Sequence, residues 1–300
     1  MAEGATPFRT KTFEPLSRDG RLVNAMTVDV EDYFQVQALA GAIRREDWES
    51  QPRRVETNTD RILELFDGHG VKATFFTLGW IAERHPALIR RIVDGGHELA
   101  SHGCEHRRAD EQSAVSFRED LRRSKRTLEN IAGVAVRGYR APTFSIGDDN
   151  LWAFEALAAE GYAYSSSVYP VRRDYYGMPL APRFAFFPID GHRLEEYPIT
   201  TARLARRNLP CGGGGFFRLL PYALSRFAIA RVNQMDRQPA IFYFHPWEAD
   251  PRQPRVTSLG FKSRFRHYVN LDKTMGRLGR LIDDFAWDRM DTVFRPGIGA

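Results

Sequence analysis

The stretch GHELASHGCEH, residues 96–106, places His102 and His106 four residues apart, directly after a short strand pattern. On a helical turn, residues i and i+4 share a face, so both imidazoles can point at one centre. Neutral imidazole is a common zinc ligand, and a catalytic zinc takes about three protein ligands and keeps one position open. Two histidines at this spacing are also frequent on an ordinary polar helix face. Cys104, at i+2 from His102, should point away from the pair, and we interpret it as a small packed residue.

An acidic cluster in another part of the sequence favours a metal-binding role for the histidine pair. Asp29, Glu31 and Asp32 stand at the end of another candidate strand, residues 21–30, which could bring a carboxylate to the two imidazoles. Two imidazoles and one carboxylate can hold a divalent ion that activates water, and a second carboxylate can take the proton from that water. The sequence therefore predicts a hydrolytic metal centre.

Strand patterns alternate with helical patterns along most of the chain. The predicted strands cover residues 21–30, 73–78, 97–101, 134–139, 162–168 and 240–244, and a hairpin is expected within residues 183–200. This alternation predicts an α/β fold with a mainly parallel sheet. In barrels of this type, catalytic residues follow the carboxyl ends of strands. Asp29, His102, Arg140 and His245 all occupy such positions.

Composition excludes several other classes of protein. The chain has 300 residues, is 43% hydrophobic and 12% aromatic, and contains only two cysteines without a CxxC spacing, which fits a packed core without a disulfide framework. The net charge of +5 comes from scattered arginines, so nucleic acid is not expected as a partner. We find no apolar run long enough to span a membrane and no secretory leader pattern. The expected location is the cytoplasm, with peripheral contact with the inner membrane left open.

Four motifs carry a resemblance to a known family. They are residues 27–32 (TVDVED), 101–106 (SHGCEH), 140–142 (RAP) and 242–245 (FYFH). In this order they resemble the polysaccharide deacetylase family, the NodB-homology carbohydrate esterases of family 4, over roughly residues 22–290. The sequence is most similar to the branch found beside exopolysaccharide and exosortase loci, through residues 29–34 (DVEDYF), 212–218 (GGGGFFR) and 245–248 (HPWE).

The resemblance implies a distorted (β/α)7-type barrel with a zinc-type ion bound by Asp-His-His; Co²⁺, Ni²⁺ or Mn²⁺ could replace Zn²⁺. It makes His102 and His106 metal ligands. The implied catalytic groups are Asp29 as general base, Arg140 as the residue that orients this base, His245 as general acid, and the backbone N–H of Thr143 as an oxyanion donor. Tyr33, Pro142 and Trp247 are the candidate substrate contacts.

Two departures from the family pattern affect these assignments. Here the acidic run is Asp29-x-Glu31-Asp32, and strand parity puts Glu31 on the face of Asp29, whereas the following turn could bring Asp32 inward. We prefer Asp32 as the carboxylate ligand and keep Glu31 as the alternative. Where the family has an aspartate that tunes the acid histidine, this chain has serines at 165–167.

The sequence therefore predicts a metal-dependent hydrolase that removes N-acetyl groups from N-acetylhexosamine units. Its substrate would be a polysaccharide or a lipid-linked precursor in exopolysaccharide biosynthesis. The alternatives are an amidohydrolase for a small non-sugar amide and, in another class, a non-catalytic carbohydrate-binding protein. We expect a tail at residues 1–20, one catalytic domain at 21–290 with a branch-specific part from about 160, and a tail at 291–300.

Overall fold

The computed structural model describes residues 8–172, 176–191 and 193–294. The described strands are β1 Arg9–Thr10, β2 Ser17–Arg18, β3 Arg21–Val30, β4 Thr74–Thr77, β5 Glu98–Ser101, β6 Gly138–Tyr139, β7 Tyr164–Ser165, β8 Phe186–Phe187, β9 Glu195–Glu196, β10 Thr201–Leu204, β11 Arg207–Pro210, β12 Ile241–Phe244 and β13 Ala286–Asp288. The described α-helices are α1 Val55–Gly68, α2 Gly79–Arg84, α3 Pro86–Asp94, α4 Ala114–Ala132, α5 Trp152–Ala159, α6 Gly214–Leu219, α7 Tyr222–Arg231, α8 Phe261–Tyr268, α9 Thr274–Asp284 and α10 Met290–Phe294. None of the described helices is both long and apolar enough to cross a bilayer.

One continuous run of parallel strands forms the centre of the sheet. Its order is β12-β3-β4-β5-β6-β7-β9, and every neighbouring pair in this run is parallel. Seven parallel strands with helices packed on the outside confirm the predicted α/β fold of the distorted (β/α)7 type.

The gap between β9 and β12 is bridged by irregular backbone. The N–H of Ile241 donates to Oγ1 of Thr200 at 2.6 Å, and the N–H of Gly212 donates to the carbonyl of Thr200 at 3.2 Å. The N–H of Tyr243 in turn donates to the carbonyl of Gly212 at 2.7 Å. These bonds curl the sheet toward closure, so the carboxyl ends of all seven strands face one end of the barrel.

Strand parity separates an inner from an outer layer of the core. Ala25 of β3, Phe76 of β4 and Ala100 of β5 belong to one buried cluster inside the curled sheet. The alternate residues Val28 and Val30 pack outward with the helices. Asp29 therefore points into the barrel, because successive side chains of a strand alternate between its faces.

The predicted N-terminal tail is corrected by the structure. Within residues 8–20, β1 pairs with β8 and β2 pairs with β3, so this segment is part of the sheet. The Phe8 ring lies 4.7 Å from that of Phe186, which supplies the apolar contact that a loose tail would lack. At the other end, the predicted tail begins inside α10, where Val293 and Phe294 are buried; residues 1–7 and 295–300 lie outside the described residues.

The hairpin predicted within residues 183–200 is present as the antiparallel pair β8–β9. A second hairpin, β10–β11, follows it directly and was not predicted. Helices α2 and α8 were also not predicted; they have only six and eight residues, and neither begins with a side-chain N-cap.

Candidate active site

The acidic end of β3 supplies two buried carboxylates to the barrel interior. Asp29 and Glu31 are each 2% exposed and stand two residues apart, on the same face. Strand β3 pairs with β4 on one side and β12 on the other, which fixes its direction. The alternation of side-chain direction along β3 extends to Glu31, whose side chain points into the barrel like that of Asp29.

His102 and His106 follow β5 and meet Glu31. Nitrogen atoms of the two imidazoles and a carboxylate oxygen of Glu31 all lie within 4.8 Å of one another, and all three residues are buried. Nε2 of His106 lies 2.9 Å from Oε2 of Glu31. His106 adopts a left-handed backbone conformation with φ of 51°. A non-glycine residue is rarely found there, and such conformations persist where the surrounding structure holds a functional group in place.

The donor set fits a divalent metal ion. Oε2 of Glu31 is buried and makes no hydrogen bond, although Nε2 of His106 is close. Nδ1 of His102 donates to the carbonyl oxygen of Arg140 at 2.8 Å, so Nε2 keeps its lone pair for a ligand. Burial lowers the pKa of His102 to about 4, which keeps this imidazole neutral. Two imidazole nitrogens and one carboxylate oxygen are the ligand set of many catalytic zinc sites.

Asp32 lies apart from this cluster, which corrects the preference for it as the carboxylate ligand. Its Oδ1 accepts the N–H of Tyr33 at 2.8 Å, and its Oδ2 accepts the N–H groups of Arg54 at 2.6 Å and Val55 at 2.9 Å. Asp32 thus binds the N-terminus of α1, where backbone N–H groups lack helical partners. The structure places Glu31, the alternative, with the histidines.

Arg140, which follows β6, binds both Asp29 and His102. Its Nη1 donates to Oδ1 of Asp29 at 2.6 Å and to Oγ1 of Thr27 at 2.8 Å, while its carbonyl holds His102. The guanidinium is fully buried and lies over the Phe76 ring at 4.0 Å. A planar guanidinium held on several sides fixes the orientation of the carboxylate it binds.

The serines at 165–167 complete the binding of Arg140. Nε of Arg140 donates to the carbonyl of Ser166 at 3.1 Å, and Nη2 donates to its Oγ at 3.0 Å. Oγ of Ser167 accepts the N–H of Ala141 at 2.9 Å. This segment therefore positions the arginine and carries no charge of its own.

His245 follows β12 on the opposite side of the carboxylates. Its Nε2 lies 3.5 Å from Oε1 of Glu31 and 3.9 Å from Oδ2 of Asp29. Its side chain is 19% exposed, against 6% for His106, so of these two histidines it is the more open to solvent. The structure therefore brings together Asp29, Glu31, His102, His106, Arg140 and His245.

Glu248 is a residue of this site that the sequence analysis missed. Its Oε1 lies 2.7 Å from Nδ1 of His245, and its Oε2 accepts Nε of Arg218 at 2.6 Å. Glu248 lies on a short helical turn that begins directly after His245 and β12. Glutamate three residues after a histidine at a strand end was the available signal, because i and i+3 side chains meet on a helical turn.

The glycine run before α6 allows a close approach of α6 to neighbouring side chains. A Cβ on Gly213 would lie 2.7 Å from the Tyr243 ring, and one on Gly214 would overlap the Glu248 carboxylate. Neither glycine has a positive φ. The glycines therefore let α6 pack against β12 and Glu248, and α6 carries Arg218.

Neighbouring charges outweigh burial at Glu31, His245 and Glu248 and set the pKa of each group. Burial alone would raise the pKa of Glu31, but the nearby imidazoles, with His106 and His245 foremost, hold it at about 2. Burial opposes the charge of His245, yet the Glu31 and Glu248 carboxylates raise its pKa to about 9. Burial likewise opposes the charge of Glu248, which Arg218 and His245 overcome, so its pKa falls to about 2.

The expected substrate contacts are largely buried. Tyr33 is 1% exposed and packs against Phe34, so it is not available to stack on a sugar. Trp247 is 6% exposed and lies between His245 and His267, and its Nε1 donates to Oε1 of Glu31 at 3.2 Å. Trp247 therefore supports Glu31, and its role as a substrate contact stays a prediction, as does that of Pro142, which is also buried. Thr143 has a left-handed φ of 58°, followed by Phe144 at 52°, and its oxyanion role stays a prediction.

Comparison with known families agrees with this geometry. Residues 47–162 match the polysaccharide deacetylase family, and residues 166–295 match a domain of unknown function, DUF3473. The chain carries a polysaccharide deacetylase domain. His102, His106 and Arg140 lie inside the matched deacetylase range. Asp29 and Glu31 precede that range, and His245 and Glu248 lie in the second matched region.

Curated relatives of the deacetylase domain act on several glycans according to their names. The peptidoglycan-N-acetylglucosamine deacetylase of Bacillus cereus is 34% identical over 98 residues, which is 32% of this chain and 36% of that protein. The peptidoglycan deacetylase of Helicobacter pylori is 29% identical over 38% of each chain. The chitooligosaccharide deacetylase of Bradyrhizobium sp. is 29% identical over 37% of this chain and 48% of that one. These matches span between a third and a half of the relatives' length.

A solved structure supports the fold across nearly the whole chain. A Mycobacterium smegmatis protein, crystallised as a candidate polysaccharide deacetylase, superposes with a TM-score of 0.56 and 21% identity. The superposition covers 95% of this chain and 93% of the other. At this level of identity, the likeness concerns the fold.

Proposed function

We propose that this protein is a metal-dependent deacetylase that hydrolyses the N-acetyl group of N-acetylhexosamine units. The single observation that carries the proposal is the convergence of Glu31, His102 and His106 beside Asp29 and His245. It combines a three-ligand metal set, a carboxylate and an imidazole in one cluster of side chains at the carboxyl ends of the strands. We propose Zn²⁺ as the ion, with Co²⁺, Ni²⁺ and Mn²⁺ as substitutes.

Glu31, His102 and His106 would hold the ion. When bound, such an ion polarises the amide carbonyl and lowers the pKa of the attacking water. The hydrogen bond from His102 to the Arg140 carbonyl and that from Trp247 to Glu31 would orient two of the ligands.

Asp29 acts as the general base in this proposal. Its Oδ1 is bound by Arg140, which leaves Oδ2 on the side of His245 at 3.9 Å. This oxygen takes the proton from water as the water attacks the amide carbon. The backbone N–H of Thr143 would donate to the oxygen that becomes negatively charged.

His245 acts as the general acid. Its Nδ1 is held by Glu248, so the Nε2 proton points toward the carboxylates and the reacting amide. Transfer of this proton to the amide nitrogen lets the amine leave as the C–N bond breaks. The products are acetate and a free amino sugar.

We further propose a polysaccharide or its lipid-linked precursor in exopolysaccharide biosynthesis as the substrate. The support is the set of branch motifs at residues 29–34, 212–218 and 245–248. The structure gives each a role in the site: Asp29 and Glu31, the Gly214–Arg218 support, and the His245–Glu248 pair.

The test is acetate release from N-acetylglucosamine oligomers by protein reconstituted with Zn²⁺. We expect release by the wild type and none by the His102→Ala variant, whose folding is checked by thermal melting. Stoichiometric metal without acetate release would redirect the proposal to another amide. If the protein binds no metal and releases no acetate, the results would support a carbohydrate-binding protein instead.

A further inference from the structure

Exposed apolar side chains are concentrated in one part of the molecule. Eight of the eleven large hydrophobic residues that are exposed in the described chain lie between residues 204 and 265. They are Leu204, Leu209, Leu219, Leu224, Phe227, Met235, Phe261 and Phe265. Single exposed apolar residues are ordinary, but a concentration of this size indicates an interaction surface.

The β10–β11 hairpin and α7 present their apolar residues side by side. Ala202 pairs with Leu209 across the hairpin, so Ala202, Leu204 and Leu209 share one face. Ala202 is buried in the same cluster as Ile229 of α7, and Nε of Arg231 donates to the carbonyl of Arg203 at 2.9 Å. The face of the hairpin that carries the leucines is therefore the face turned to α7.

The two helices on either side of α6 extend this surface. Leu224 and Phe227 stand three residues apart on α7, and Phe261 and Phe265 stand four apart on α8, so each pair shares a helix face. Helix α6 packs against both α7 and α8. We call the hairpin, α6, α7 and α8 together the apolar-basic face.

The charge of this face is almost entirely positive. The exposed cations of the hairpin, α7 and α8 are Arg203, Arg206, Arg207, Arg226, Lys262, Arg264 and Arg266. Arg237, Arg252 and Arg255 are exposed in the segments between these elements. The acidic residues of the fully described span 201–268 are Asp236, Glu248 and Asp250, none of them exposed, and each pairs with an arginine. From outside the span, Asp284 pairs with Arg226.

We propose that the apolar-basic face docks on the surface of an anionic lipid bilayer. Phenylalanine and leucine side chains enter the boundary between headgroups and acyl chains, while arginine and lysine attract anionic headgroups. Nucleic acid or an acidic polysaccharide would satisfy the cations but leave the seven large apolar side chains of the face in water. A protein partner or a second copy would need acidic groups opposite the arginines, and the exposed Asp284, which contacts α7, already pairs with Arg226.

The face adjoins the active site through α8. His267 of α8 stacks on Trp247 with ring centroids 4.3 Å apart, and Trp247 bonds Glu31. Docking through α8 would therefore place the site next to the bilayer surface. The docking proposal rests on the exposed apolar and cationic residues of this face and does not depend on the identity of the substrate.

The full-length protein is tested by sedimentation with vesicles of phosphatidylcholine alone and with vesicles containing 30% phosphatidylglycerol. We expect binding to the anionic vesicles to be stronger by about tenfold or more and to weaken with added salt. The double variant Phe261→Ser/Phe265→Ser and the double variant Leu224→Ser/Phe227→Ser should each reduce this binding by about tenfold.

The matched control is Val115→Ser/Leu180→Ser, which removes two exposed apolar residues far from the face in sequence and should leave vesicle binding unchanged. Equal binding to both kinds of vesicle, or none, would overturn the proposal. So would a dimer in sedimentation velocity that the α7 and α8 variants dissolve. Tighter binding to a DNA oligomer than to anionic vesicles, unaffected by the apolar variants, would assign the face to nucleic acid and also overturn it.

Discussion

Nδ1 of His245 lies 2.7 Å from Oε1 of Glu248, and the other oxygen of that carboxylate is bound by the buried guanidinium of Arg218. The carboxylate thus fixes both the orientation and the protonated nitrogen of the imidazole, as an acidic partner does in other catalytic histidine sites. The residue that performs this task here comes from the turn after β12, three positions beyond the histidine.

Glu248→Gln should therefore lower kcat by about 100-fold while KM changes little, because the substitution removes the orienting charge without touching bound sugar. The measurement is steady-state acetate release at several substrate concentrations. Glu248→Asp, which keeps the carboxylate, is the control and should recover part of the lost kcat. A matching rise in KM with unchanged kcat would show that Glu248 serves substrate binding instead.

Metal retention separates Glu31 from Asp32. Glu31→Gln should weaken Zn²⁺ binding by about tenfold or more, since it replaces a charged ligand. Asp32→Asn should keep the metal but lose about 1–2 kcal/mol of unfolding free energy, because Asp32 binds the N–H groups that begin α1. Metal content after dialysis and denaturant unfolding of both variants give the answer. Loss of metal from Asp32→Asn alone would restore the original preference.

This difference shows where sequence reasoning reached its limit at the site. Parity along β3 placed Glu31 beside Asp29, and that argument was right. The preference for Asp32 assumed that its side chain turns into the barrel, but the carboxylate binds the backbone N–H groups at the start of α1. No local pattern showed that Arg54 and Val55, more than twenty residues away, would take the Asp32 carboxylate.

Asp29→Asn should leave Zn²⁺ binding intact and reduce kcat by at least about 100-fold, because the amide cannot accept a proton from water. Thermal melting and metal content of the same preparation show whether the site is still folded. Activity within twofold of the wild type would remove Asp29 from the role of base.

Most of the parallel sheet was predictable, because β3, β4 and β12 are rich in β-branched or aromatic residues and an α-helix follows each strand from β3 to β6. Strand β9 has only the sequence Glu195–Glu196 and is followed by a hairpin, so it was predicted only as part of the hairpin within residues 183–200. The elements that escaped prediction lie where local pattern is weak. Helix α8 is only eight residues long and has no side-chain N-cap, and the interaction of α6 with Glu248 depends on glycines whose effect is visible only when the neighbouring side chains are in place.

The stability of the protein should fall as pH drops from about 6.5 to about 4, partly through His97. Burial lowers the pKa of this imidazole to about 4, and its Nδ1 accepts the N–H of Ala73 at 3.1 Å, which only the neutral ring can do. Because the folded pKa is below the unfolded value of about 6.5, the stabilisation is complete above pH 6.5 and is lost through this window. Its size is on the order of 2–3 kcal/mol.

The measurement is denaturant unfolding of the wild type and His97→Asn between pH 8 and pH 4.5. Asparagine presents an acceptor near the position of Nδ1 and does not titrate, so the variant should lose less stability across this range. The pH dependence that remains in the variant reports the other buried histidines. Parallel curves for the two proteins would mean that the pKa of His97 is the same in the folded and the unfolded state.

Gly214→Ala provides the sharpest test of the support behind His245. The added Cβ would overlap the Glu248 carboxylate, which is held from the other side by Arg218 and cannot withdraw without breaking that pair. We expect kcat to fall toward the level of Glu248→Gln, with a loss of unfolding free energy of about 1–3 kcal/mol.

The neighbouring Gly215→Ala is the matched control, because a Cβ there meets no atom within 4 Å. It should keep full activity and gain a few tenths of a kcal/mol or more from helix propensity. If both variants behave alike in acetate release and unfolding, the glycine run does not position Glu248.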